Sequence, residues 1–268
     1  MKIGLAIAPA NALPSAFVVF RMDLGLGIKK AAELGYDGVE LAIADATEVN
    51  VTQVKKLIKK YNLQLPIIST GRVFAEKKVS FTHFDDNIRN EAIRTVKGII
   101  ELAANFGADV NVGRVRGNLP PGEEEKARER FIYAMRECAD FSKSFGRQLL
   151  LEPVNRYETN FINNLKEGMD IIKEIQRDNV KLMPDIYHMN IEDASIEGSL
   201  EEARDIISYI HFADSNRLAP GQGHIDFKSI IDTLRKIGYD GFITVEILAK
   251  PDPDRAAKLA IDYLRNFI

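Results

Sequence analysis

Along the chain, short β-branched or apolar runs that end in polar residues alternate with longer stretches whose apolar residues recur every three or four positions. The runs near 2–8, 37–43, 65–69, 108–113, 148–153, 180–185, 208–213 and 242–248 predict strands. The stretches near 24–34, 51–61, 86–106, 122–145, 164–177, 198–206, 226–237 and 254–267 predict helices. Strand followed by helix, eight times over, predicts an α/β fold with a closed parallel (β/α)8 barrel, its first strand pairing with its last. Glu33-Leu34-Gly35-Tyr36-Asp37-Gly38 is echoed by Lys236-Ile237-Gly238-Tyr239-Asp240-Gly241. In each, a glycine ends a helix and a tight turn feeds the next strand at the bottom of the barrel. No linker or low-complexity tract interrupts the pattern, so one domain spanning 1–268 is expected.

Composition narrows the picture. Hydrophobic residues make up 46% and charged residues 28%, enough apolar material for a sizeable core. A net charge of −3 and a pI near 5.9 leave no basic field for nucleic acid. No apolar run reaches the ~18 residues a membrane span needs. The start, Met1 to Ile7 followed by Pro9, does not read as a signal peptide. The lone Cys138 fits a reducing compartment, and a cytoplasmic enzyme is expected.

Chemistry enters where strands end. Strand 5 runs Leu149-Leu150-Leu151-Glu152-Pro153, strand 6 ends Leu182-Met183-Pro184-Asp185, strand 7 contains Ile210-His211-Phe212, and strand 8 contains Thr244-Val245-Glu246. Four consecutive strands thus bring Glu152, Asp185, His211 and Glu246 to the same end of the barrel. Carboxylates that converge after apolar strands repel one another unless a cation relieves them. Three carboxylates and one imidazole suit one divalent ion of the Mn²⁺, Co²⁺ or Mg²⁺ type better than a thiolate-seeking metal.

Glu152-Pro153-Val154-Asn155-Arg156-Tyr157-Glu158-Thr159, Asp185-Ile186-Tyr187-His188-Met189-Asn190, His211-Phe212-Ala213-Asp214-Ser215-Asn216-Arg217 and Val245-Glu246 resemble, in this order, the motifs of the D-tagatose 3-epimerase family. That family belongs to the xylose-isomerase-like barrels of sugar isomerases and epimerases. The chain also resembles the 5-keto-L-gluconate epimerase branch of inositol catabolism. The resemblance implies that Glu152, Asp185, His211 and Glu246 hold a divalent metal, usually Mn²⁺, and that Glu152 and Glu246 are the acid/base pair. It implies that Glu158, His188 and Arg217 contact a small sugar or sugar-acid substrate, and it makes a homodimer or tetramer plausible. The expected reaction inverts C3 of a ketose or keto-sugar acid through a cis-enediolate. An aldose–ketose isomerase of the hydroxypyruvate-isomerase type, moving a proton between C1 and C2, is the alternative. A DNA-repair endonuclease is disfavoured by the four histidines and the acidic balance. A non-catalytic sugar-binding module would not require two carboxylates on one metal.

Arg72, Arg114, Arg116 and Arg156 also fall at or just beyond strand ends, where guanidinium forks suit an anionic substrate or neutralise the acidic cluster. Arg217 has a second reading, as a loop clamp paired with Asp214. The long connections after strands 1 and 3 carry Phe17, Phe20, Phe74, Phe81 and Phe84, either as a lid or as packing against helices or another subunit. His224 lies in a glycine-rich turn, Gly221-Gln222-Gly223, before a helix whose N-cap is expected to be Asp226.

Overall fold

In the computed structural model, which describes residues 1–268, eight parallel strands curl into a barrel wrapped by helices. The strands are β1 (Lys2–Ala8), β2 (Gly38–Ala42), β3 (Ile67–Ser69), β4 (Asp109–Val112), β5 (Leu149–Leu151), β6 (Val180–Leu182), β7 (Ile210–Phe212) and β8 (Phe242–Val245). The helices are α1 (Leu24–Glu33), α2 (Val51–Tyr61), α3 (Gly71–Lys77), α4 (Asp86–Ala104), α5 (Glu124–Ser144), α6 (Leu165–Ile175), α7 (Ile186–Glu192), α8 (Ile196–Ala203), α9 (Phe227–Lys236) and α10 (Pro253–Leu264). Every element expected from periodicity is present, most with trimmed ends. β5 and β6 stop short of Pro153 and Pro184, neither of which has an N–H for the ladder.

Two helices escaped the periodicity. α3 and α7 are too short to show a period, and each begins at the mouth of the barrel directly after a strand. Asp185 caps α7 by accepting from the Tyr187 N–H at 2.9 Å, so one residue both ends the β6 segment and starts the helix. A two-residue strand, Phe20–Arg21, also pairs with β1 inside the first long loop.

The strands run in the order β6-β5-β4-β3-β2-β1-β8-β7, and β1 pairs with β8 from Lys2↔Phe242 to Leu5↔Val245, as expected. The remaining seam, β6 against β7, is joined by the bridges Leu182↔Ile207 and Asp185↔His211. The echoed turns hold glycine at positive φ, 88° at Gly35 and 76° at Gly238, a region other residues enter only with strain.

Strand alternation sorts the side chains. Ile3, Leu5, Ile7, Val39, Leu41, Val110, Val112, Leu149, Leu151, Ile210, Phe212, Ile243 and Val245 join the large core cluster beneath the helices. Their neighbours point inward, where Ile67, Leu150, Met183, Tyr209 and Phe242 form a separate apolar floor. Two positions beyond Leu150, Met183 and Tyr209 stand Glu152, Asp185 and His211, and four beyond Phe242 stands Glu246. The apolar floor therefore sets the level at which the polar residues emerge.

Candidate active site

Glu152, Asp185, His211 and Glu246 each offer a ligand atom, and these atoms lie within 4.8 Å of one another. His211 Nδ1 stands 3.5 Å from Glu152 Oε1, 3.5 Å from Glu246 Oε2 and 3.7 Å from Asp185 Oδ2. That nitrogen is buried and has no hydrogen-bond partner. A buried ring nitrogen facing three carboxylate oxygens is a donor set for a cation, and its hard oxygens with one imidazole fit a divalent ion of the Mn²⁺, Mg²⁺ or Co²⁺ class. The site thus fits the expected metal.

Two residues outside the expected set hold this cluster. Glu40 of β2, wholly buried, pairs through Oε2 with His211 Nε2 at 2.8 Å. Asn111 of β4 donates to Glu152 Oε2 at 3.0 Å, while its own Oδ1 accepts the Thr70 N–H at 2.8 Å. Glu40 has a faint sequence signal, a single polar residue inside an otherwise apolar strand, whereas Asn111 shares its strand with Asp109. Gly113 completes the cradle, since a Cβ there would stand 2.7 Å from Glu152 Oε2.

A cleft opens over the cluster. Its walls include Glu152, Glu158, His188, Arg217 and Glu246. His188, on α7, faces Asn155 Nδ2 at 2.7 Å through Nδ1. The amide is only a donor, so Nδ1 accepts and Nε2 carries the proton. Burial holds the His188 pKa down to about 3, leaving a neutral ring. Glu158 is pushed above the usual carboxylate range by burial, against the pull of Arg114 3.5 Å away.

Arg217 does not pair its side chain with Asp214. Its Nη1 donates to Asp185 Oδ2 at 2.6 Å and its Nη2 to Glu246 Oε2. Its guanidinium lies between the rings of Phe17 and Tyr187, 4.9 and 4.8 Å from their centroids. Asp214 instead accepts from the N–H groups of Ser215, Gly221 and Ile225, so the glycine-rich turn wraps a protein carboxylate. Asp226 caps α9, as expected.

The rim arginines separate. Arg116 is wholly buried and donates to the carbonyls of Gly113, Ile162 and Glu152, which removes it from any anion-binding role. Arg156 points outward, clamped to Glu192 at 2.7 Å, and is absent from the cleft wall. Arg72 reaches the cleft but is enclosed by Glu48 and Glu76 at 2.6 and 2.7 Å. Arg114 alone of the four lines the cleft with a buried, unpartnered Nε, stacked over Phe74 at 5.4 Å.

The two long loops also divide. Leu13, Ser15, Ala16, Phe17 and Val18 of the first, and Arg72, Ala75 and Glu76 of α3, line the cleft. Phe20 and Phe81 belong to the core, whereas Phe84 is exposed.

Without a cation the cluster holds protons. Burial alone would lower the His211 pKa, but Glu40 and Glu246 raise it well above its ordinary value. Glu246 is pushed up to about 8, by burial first and by Glu152 and Asp185 next, against the pull of His211 and Arg217. A cation must displace these protons, so its affinity is expected to rise with pH, by up to about tenfold per pH unit per proton released between about pH 6 and about pH 8. Calorimetric Mn²⁺ titrations in buffers of different ionisation enthalpy would count the protons. An affinity flat across that interval would contradict the assignment.

Fold and site together define a barrel enzyme whose chemistry sits at the C-terminal mouth of its strands. Residues 28–267 match the family described as xylose isomerase-like TIM barrel, and the chain belongs to that family. It is 32% identical over 222 residues to the L-ribulose 3-epimerase of Methylomonas sp. strain DH-1, covering 82% of this chain and 76% of that relative. It is 28% identical over 244 residues to the 3-dehydro-D-guloside 4-epimerase of Escherichia coli K12, covering 87% and 91%. Among solved structures, the D-allulose 3-epimerase from Methylomonas sp. in complex with D-allulose superposes with a TM-score of 0.85 at 28% identity, covering 100% of this chain and 97% of that one. With such relatives the chain is an enzyme of the isomerase class, an epimerase. No helix is long and apolar enough to cross a membrane.

Proposed function

We propose that this protein is a divalent-metal-dependent epimerase that inverts C3 of a ketose or keto-sugar acid, with Mn²⁺ as the working ion. The convergence of Glu152, Asp185, His211 and Glu246 beneath one cleft carries this reading, and the 3-epimerases among its relatives support it. When bound, the cation supplies Lewis-acid stabilisation of the negative charge that builds on the substrate oxygens.

The remaining work falls to side chains. Glu152 and Glu246 come from β5 and β8, well apart around the barrel, and both border the cleft. That placement allows one to take the proton from the carbon beside the carbonyl while the other, protonated, returns one to the opposite face. The high proton affinity of Glu246 suits it to hold a proton near neutral pH. Asn111 keeps Glu152 Oε2 occupied and so fixes the orientation of that carboxylate. His188, neutral and donating through Nε2, orients a substrate oxygen, and Arg217 holds Asp185 and Glu246 in place. Arg114, with an unpartnered Nε beside Glu158, suits the far end of the substrate and favours a carboxylate there.

A second reading has one specific support. The Escherichia coli relative is named as a 4-epimerase of a 3-dehydro sugar, the same proton exchange shifted one carbon along.

Incubating the protein with Mn²⁺ in D₂O against ketohexoses and keto-sugar acids, with a chelated control, tests both readings. Deuterium at C3 together with the epimeric product is expected. Label at C4 of a 3-keto sugar would favour the second reading. Label at C1 or C2 with an aldose product would make the enzyme an isomerase, and metal-independent exchange would overturn the mechanism.

A further inference from the structure

Glu40 has no place in the mechanism above, yet it is the most deeply buried acidic side chain facing the barrel interior, with no solvent exposure. It sits in the β2 run Gly38-Val39-Glu40-Leu41-Ala42, where Val39 and Leu41 point outward into the core. A carboxylate inside a barrel, above an apolar floor, is costly unless something compensates it. Its one close partner is His211 Nε2 at 2.8 Å, a contact made across the barrel between residues 171 positions apart. Its second oxygen, Oε1, is buried without a hydrogen-bond partner. The Tyr209 hydroxyl, which bonds the Thr244 hydroxyl, is the other polar group near it. The imidazole is the partner Glu40 meets at hydrogen-bond distance.

We propose that Glu40 is the positioning residue that makes His211 a metal ligand, by fixing which ring nitrogen carries the proton. This inference rests on the reading of the four-residue cluster as a cation site. A neutral imidazole has one N–H and one lone pair. With the proton on Nε2, the ring donates to Glu40 Oε2 and turns its Nδ1 lone pair toward Glu152, Asp185 and Glu246. With the proton on Nδ1, an N–H would occupy the centre of the ligand set, and the Nε2 lone pair would face a carboxylate oxygen at 2.8 Å. The carboxylate removes that second arrangement. It also holds the ring plane and raises the basicity of the ligating nitrogen, as outer carboxylates do at metal-bound imidazoles. Glutamine keeps the size of Glu40 but loses the charge and can turn its amide to donate to Nε2, which restores the wrong tautomer.

The test uses the full-length protein and Mn²⁺ alone, with free Mn²⁺ read by electron paramagnetic resonance. Wild-type protein is expected to bind the ion, and Glu40→Gln to bind it about 10–100-fold more weakly, with an unchanged circular dichroism spectrum. Equal Mn²⁺ affinity in folded Glu40→Gln would overturn the role of Glu40 while leaving the cation site standing. Failure of the wild type to bind Mn²⁺ would overturn the site itself and this inference with it. Should Glu40→Gln fail to fold, the wild type decides the matter. The chain has four histidines, so ring ¹⁵N spectra are tractable. In the Mg²⁺-loaded protein, a proton on His211 Nε2 with a shifted, unprotonated Nδ1 supports the role, and a proton on Nδ1 overturns it.

Discussion

Glu246→Gln is expected to lower epimerisation by about 10²–10⁴-fold while the protein stays folded and still takes up the metal. Glutamine keeps a carbonyl oxygen able to accept from Arg217, which donates to Glu246 Oε2 in the native site. What it cannot do is carry a proton to and from carbon. Glu246 is suited to that task because burial and the neighbouring Glu152 and Asp185 push its pKa up to about 8, against the pull of His211 and Arg217. Deuterium incorporation from D₂O into substrate separates the two half-reactions. Loss of both exchange and product is the expected pattern. Undiminished turnover with metal bound would leave the two-carboxylate scheme without its second member.

Arg116→Met is expected to destabilise the fold by about 1–3 kcal/mol, more than the loss of a rim arginine. The guanidinium is fully buried and satisfies the carbonyl oxygens of Gly113 at 3.1 Å and Ile162 at 3.0 Å, together with that of Glu152. Methionine of similar length fills the space but leaves the Glu152 carbonyl unpaired, while Gly113 and Ile162 keep only the N–H groups of Arg116 and Val154. Burial lowers the Arg116 pKa only to about 10, with Glu152, Glu158 and Glu167 opposing the shift, so the native side chain stays charged at neutral pH. Urea denaturation measures the loss as a shifted midpoint at constant slope. A change below about 1 kcal/mol would show that the Glu152 carbonyl finds another partner.

Sequence periodicity carried the eight strands and the eight main helices because each is buried on a regular stripe. It missed α3 and α7, since a seven-residue helix completes two turns and shows no period. The four residues of the candidate metal site were legible for a related reason: each interrupts or ends an apolar run at an inward position, where a charge has no cheap explanation. The residues that hold them were not. Glu40 meets His211 across the barrel, and Asn111 meets Glu152 from the neighbouring strand. Such pairings depend on register, which no local pattern encodes. The arginines show the same limit from the other side. Four of them stand near strand ends in sequence, yet only the structure shows Arg116 spent on carbonyls, Arg156 on Glu192 and Arg72 on Glu48 and Glu76.

The seam between β6 and β7 would give a cation in the proposed site a task outside chemistry. Every other neighbouring pair of strands is joined by a ladder of at least two Cα-registered partners. This one is joined by Leu182↔Ile207 at its base and Asp185↔His211 at its lip, with the Ser208 and His211 N–H groups donating across it. Asp185 and His211 are also two of the four proposed ligands, so an ion held between them would work as the buckle of a hoop. Loading the ion and shutting the hoop become one equilibrium. At a free concentration about a thousand times its dissociation constant, the ion would add about 4 kcal/mol to the folded state. That stabilisation would be felt where the hoop opens, so a stripped barrel should exchange its Ser208 and His211 amide protons sooner than those of β1, which lies between two fully laddered neighbours.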